Sequence, residues 1–147
     1  MKKFALLALI FVSTLTSCSL DDGAESNFYL AVLPIDGVEM PESFVQGETY
    51  EIFVTYIKPN SCHTFNDFIY EIDGNERTVA VVNTVYYANN GVSCDEVSEL
   101  VTVSFDLYVS GNETYIFKFF QGEDPNSGED QYYLVEVPVM EGRTPTN

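Results

Sequence analysis

Residues 49–58, Thr49-Tyr50-Glu51-Ile52-Phe53-Val54-Thr55-Tyr56-Ile57-Lys58, decide the fold class. Tyr50, Ile52, Val54 and Tyr56 share one parity, and Glu51 and Thr55 fall on the other. Successive side chains of a strand point to opposite faces, so this period of two reads as a strand with one side in a core and one in water. Gln46-Gly47-Glu48 makes a turn before it, and Pro59-Asn60-Ser61 ends it.

The same pattern recurs in both directions. Downstream, Phe65 to Asp73 reads as a strand, Asp73-Gly74-Asn75 suits a tight hairpin, and Thr78 to Tyr87 returns until Asn89-Asn90-Gly91 breaks it. Leu100 to Val109 alternates again, with Val101, Val103, Phe105, Leu107 and Val109 inward and Thr102, Ser104 and Asp106 outward. Ser110-Gly111-Asn112 turns into Thr114 to Phe120, Gly122 to Gly128 is an acidic loop, and Tyr132 to Met140 closes the domain. Tyr133, Val135, Val137 and Val139 share a parity there. Upstream, Phe28 to Ile35 is one strand closed by Asp36-Gly37. Pro41 makes Val38 to Val45 an edge or crossover segment, since proline cannot donate to a ladder.

Seven or eight short strands with no helical periodicity between them give an all-β domain over residues 28–141, followed by a tail at 142–147. Short connections call for antiparallel sheet, and two facing sheets bury one-sided strands most simply, with a barrel as the alternative. The segment Ser110-Gly111-Asn112-Glu113-Thr114-Tyr115-Ile116-Phe117 resembles the turn-plus-tyrosine entry to a late strand of immunoglobulin-like domains. That resemblance implies an immunoglobulin-like β-sandwich.

The N-terminus has a different character. Met1-Lys2-Lys3 is a basic start and Phe4 to Val12 an unbroken apolar run, too short to span about 30 Å of hydrocarbon. Residues 1–17 therefore read as a signal peptide. Leu15-Thr16-Ser17-Cys18 resembles the lipobox of bacterial lipoproteins, which implies cleavage before Cys18 and lipid on its thiol. Ser19-Leu20-Asp21-Asp22-Gly23 is similar to the post-cysteine segment of lipoproteins of the Bacteroidota, where it goes with export to the cell surface. The resemblance places the protein on the outer membrane, at its periplasmic face or on the cell surface. Residues 18–27 would form a tether of about 15 Å.

The chain of 147 residues carries a net charge of −17. Lys2 and Lys3 lie in the first 17 residues, which hold no acid, so 4 basic residues face 23 acidic ones after them, a net −19. Such a field repels phosphate backbones and excludes nucleic acid as a partner. It also disfavours lying flat on an anionic bilayer, leaving the lipid as the membrane contact.

With Cys18 lipidated, Cys62 and Cys94 remain, and an even pair in an exported chain reads as a disulfide. His63, the sole histidine, reads as a solvated loop residue; a thiol or metal site with Cys62 lacks further ligands at recognisable spacing. No nucleophile elbow or zinc-binding pattern occurs, and nothing singles out a catalytic carboxylate pair, so no enzyme is expected and no cofactor is required. Asp124, Asn126, Glu129 and Asp130 are calcium candidates, although their spacing departs from the EF-hand. Phe53, Tyr108, Ile116, Phe120 and Tyr132 have outward parity and make a candidate interaction face. The expected function is a non-catalytic, lipid-anchored envelope protein that binds an envelope or extracellular protein, or a neighbouring copy, or supports envelope assembly. The alternative is a ligand-binding module for glycan or calcium.

Overall fold

A computed structural model describes residues 27–88 and 93–141. The signal peptide, Cys18, the tether up to Ser26 and the tail at 142–147 lie outside the described residues. Among those described, the protein is all-β: β1 (Phe28–Leu33), β2 (Ile35–Glu39), β3 (Phe44–Val45), β4 (Thr49–Lys58), β5 (His63–Asp73), β6 (Glu76–Tyr86), β7 (Glu99–Tyr108), β8 (Tyr115–Glu123), β9 (Asp130–Val137) and β10 (Val139–Met140). No helix among them is long and apolar enough to cross a membrane.

The strand count exceeds the expected seven or eight for a local reason. The run expected to form one strand, Phe28 to Ile35, divides at Pro34, which has no N–H to continue a ladder. Before it, β1 pairs with β6; after it, β2 pairs with β4. One segment thus belongs to both sheets. Asp36 and Gly37, expected to close the strand, lie inside β2 at a register shift. The two-residue strands β3 and β10 pair with each other.

The larger sheet holds β5, β6, β1, β8 and β9, and the second holds β2-β4-β7. Both are open rather than closed into a barrel. β5 follows one edge of β6 almost throughout. On the other edge, β1 takes Val81 to Tyr86 and β8 takes Glu76 to Val79, so two strands meet end to end against one. The β6–β8 and β3–β10 pairs are parallel, against the expectation of an antiparallel sheet. Short connections dictate how sequence neighbours pair and leave distant strands free. Between β6 and β8 the chain crosses to the opposite sheet through β7, which provides the long connection a parallel pair requires.

The two sheets share one core. Ile52, Val54 and Tyr56 from β4 and Leu107 from β7 are buried with Val79 and Val81 of β6 and Tyr115, Phe117 and Phe119 of β8. Phe105 of β7 meets Phe68 and Tyr70 of β5 at ring separations of 5.2 and 5.4 Å. The parities read for β4 and β7 hold, since Thr102, Ser104 and Asp106 are exposed. Tyr133 departs from its parity: it is 52 % exposed on β9, the edge strand of the larger sheet, although its cross-strand partner Phe119 is fully buried. In the β5–β6 turn Gly74 takes a φ of 57°, a backbone region that favours glycine, as the Asp73-Gly74-Asn75 sequence predicts.

Candidate functional site

Cys62 and Cys94 form a disulfide with a Cα–Cα distance of 5.2 Å. It ties the β4–β5 turn to the segment that precedes β7. Ser61 N–H donates to the Asp95 carbonyl at 3.1 Å and the Asp95 N–H donates to Ser61 Oγ at 2.8 Å, closing the same junction. His63 is not the solvated loop residue expected. It opens β5, is buried at 9 % exposure, and its Nδ1 lies 2.8 Å from Asn60 Oδ1. The turn folds back over it because Asn60 Oδ1 also accepts the Cys62 N–H.

Burial, with the Lys58 charge adding to it, holds the His63 imidazole below the ordinary histidine value. The unfolded chain then takes its proton near pH 6.5, while the folded chain takes it only at lower pH. Stability contributed by the neutral ring is complete above about pH 6.5 and is lost as pH falls toward the folded value. Urea unfolding at about pH 7.5 and about pH 5.5 should show a shallower pH slope for His63→Gln than for the wild type. Equal slopes would refute a buried neutral imidazole.

The four calcium candidates do not converge. Asp124 Oδ1 accepts the N–H groups of Asn126 and Ser127 at 2.8 and 3.0 Å, and its Oδ2 accepts Gln131 Nε2 at 3.1 Å. The Ser127 and Asn126 N–H groups lower the Asp124 pKa, because they favour its charged form. Asp130 instead accepts the Tyr132 hydroxyl at 3.2 Å. Among the described residues no group of three or more His, Cys, Asp or Glu side chains is arranged to hold a metal. Asp124 acts as the cap that shapes this loop.

The expected interaction face divides in two. Phe53 and Tyr108 lie on β4 and β7, while Ile116, Phe120 and Tyr132 lie on β8 and β9 of the larger sheet. Outward parity puts a side chain on the outside of its own sheet, and these strands belong to opposite sheets. The five residues therefore form no single face. Phe120 and Tyr132 do meet, as cross-strand partners with rings 6.1 Å apart.

The larger sheet carries more outward apolar surface than those three residues supply. Leu30 and Val32 of β1 are 58 % and 45 % exposed, and Leu134 of β9 is 60 % exposed. Between them lies a shallow groove of about 340 Å³ where the ends of β1 and β8 adjoin on β6. Ala80 and Thr78 line it with Ile69, Val32, Phe120 and Tyr132. Ala80 is only 5 % exposed at the floor of this groove, with larger side chains lining it on either side. Three carboxylates complete the groove, Glu71 from β5, Glu123 from β8 and Asp130 from β9.

The sequence signal for this face is a lack of alternation. Phe28-Tyr29-Leu30-Ala31-Val32-Leu33 and Val79-Ala80-Val81-Val82 are unbroken apolar runs, which make both sides of a strand apolar. Register places them together, with Val32 opposite Val82 and Leu33 opposite Val81. One side of each run enters the core and the other faces outward beside β8 and β9. At the rim, Lys118 Nζ lies 5.2 Å from the centre of the Tyr132 ring and 3.7 Å from Glu76.

No protein family, curated protein or solved structure matches the chain.

Proposed function

We propose that this is a non-catalytic, lipid-anchored protein of the bacterial outer membrane whose β-domain binds another envelope or extracellular protein. The observation that carries the binding role is the uncovered apolar face of the larger sheet, with Leu30, Val32 and Leu134 exposed around the Ala80 groove. A grooved apolar face of that kind on a strongly acidic domain is characteristic of a docking site. The lipobox-like Leu15-Thr16-Ser17-Cys18 supports the anchor, and the sequence holds no catalytic constellation.

We also propose that the domain is an immunoglobulin-like β-sandwich. Tyr115, at the start of β8, accepts the Gly111 N–H on its hydroxyl at 3.1 Å, which resembles the tyrosine corner of such domains. The β2-β4-β7 order resembles their A-B-E sheet. The parallel β6–β8 pair is a departure from that plan.

The test uses the full lipidated chain, cross-linked in cells and recovered from membranes, beside two charge insertions. Leu30→Glu with Leu134→Glu should abolish a specific cross-linked protein, while Tyr108→Glu on the opposite sheet should preserve it. A product retained by the first variant, or no protein product from the wild type, would overturn the proposal. A protein of unmodified mass in the soluble fraction would overturn the anchor.

A further inference from the structure

We infer that the Ala80 groove accepts a basic segment of the protein partner, a lysine or arginine side chain flanked by apolar residues. This rests on the docking face proposed above and adds the chemistry of what docks. Ile69, Phe120 and Tyr132 offer apolar walls for the methylene stem of such a side chain, which buries its stem and keeps its charged head at the polar end. Glu71, Glu123 and Asp130 line the same groove, and none of them has a basic partner among the described residues, whose ion pairs are Lys58–Glu99 and Lys118–Glu76. Lys118, lying over the Tyr132 ring, shows that this rim accepts a cation on an aromatic face.

Charge decides among occupants. A wholly apolar partner would desolvate three carboxylates and return nothing to them, which costs more than the apolar contact supplies. A second copy of the chain would bring another net −19 against the first. A basic segment offsets the desolvation and is drawn in by the field of the whole domain, which raises the association rate.

The test measures fluorescence anisotropy with labelled, capped peptides: one alternating lysine and leucine, one with glutamate in place of lysine, and one of lysine and glycine. The lysine–leucine peptide should bind the wild-type domain about tenfold more tightly than the lysine–glycine peptide, with affinity falling as salt rises from about 0.05 to about 0.3 M, and the glutamate peptide should not bind. The groove triple Glu71→Gln, Glu123→Gln, Asp130→Asn should weaken binding about tenfold. A triple of equal charge change on the opposite sheet, Glu39→Gln, Glu51→Gln, Asp106→Asn, should weaken it by about twofold or less. Glu71→Lys alone, on the exposed part of β5, reads the same point without touching the 123–130 loop if the groove triple melts early. Equal losses from the two triples, or no preference for leucine, would overturn the inference by reducing it to diffuse attraction. If the wild type cross-links a partner in cells through this face yet ignores the basic peptide, the chemistry assigned here fails and the docking face stands.

Discussion

Truncating Phe117 to alanine is expected to cost about 4 kcal/mol, the range for removing a buried phenylalanine ring from a closed core. Phe117 is fully buried in β8. Its ring stacks on Phe119 at 5.6 Å, lies 6.3 Å from Tyr115, and meets the edge of Phe44 at 6.2 Å. These neighbours come from β8 and β3, so removing the ring opens a void between separate elements that cannot collapse together. Against a typical total stability of about 5–15 kcal/mol, that is a large fraction. With an m-value of roughly 1.3 kcal/mol/M, the urea midpoint should fall by about 3 M. Phe120→Ala removes the same ring three positions along, from the outward side of the same strand, and should cost about 1 kcal/mol. Equal losses at the two positions would show that β8 does not have the inward and outward sides assigned to it.

That contrast also marks what alternation in a sequence can reveal. Tyr50, Ile52, Val54 and Tyr56 declared the inward side of β4, and Leu100 to Val109 that of β7, because each strand has one wet side and the solvent constrains every second residue. β1 and β6 have no such contrast. Phe28 to Leu33 and Val79 to Val82 are apolar on both parities, and period alone cannot say which parity enters the core. The parallel β6–β8 pair was beyond reach for a different reason. It joins strands separated by an excursion through the opposite sheet, and local turn chemistry carries no information about such pairs. Pro34 is the one readable clue to the sheet change, and it sits inside an otherwise continuous apolar run.

The site followed the same division. The cysteine pair was legible because, once export is expected of the chain, two remaining thiols have few fates. The interaction face expected from the sequence rests on parity alone, and parity says nothing about which sheet a strand joins. Phe53 and Tyr108 were therefore grouped with residues on the far side of the domain. Buried polar residues were illegible altogether. Arg77 is 7 % exposed, its guanidinium 4.7 Å from the centre of the Tyr115 ring, with Nη1 donating to the Gly74 and Glu76 carbonyls at 2.9 and 2.7 Å. A basic residue in a strand is expected outward, and only the turn around Gly74 explains why this one turns in. Glu71, Glu123 and Asp130 gain meaning through the β5–β6–β8–β9 order, which brings three distant acids to one groove.

Replacing Cys62 by serine should lower the melting temperature by about 15 °C. The cross-link spans 32 residues, and constraining a loop of that length removes about 3.7 kcal/mol from the denatured state on the chain-entropy account. At about 4 °C per kcal/mol for a domain of this size, the shift follows. The folded domain should persist, since the 10-residue β4–β7 ladder and the Ser61–Asp95 hydrogen bonds do not depend on the sulfur atoms. The loss therefore belongs mainly to the unfolded chain, and the m-value should rise as that chain expands without its cross-link. Cys62→Ser with Cys94→Ser should match the single variant, and reducing the wild type should reproduce both. A Cys62→Ser protein that melts at the wild-type temperature would refute a stabilising bridge. A loss with an unchanged m-value would place the damage in the folded junction around buried His63 instead. If the domain is displayed outside the reducing cytoplasm, as proposed above, the first outcome makes the bridge a condition of stable display: the groove is shaped by β5, β6, β8 and β9, and Cys62 immediately precedes the first of them.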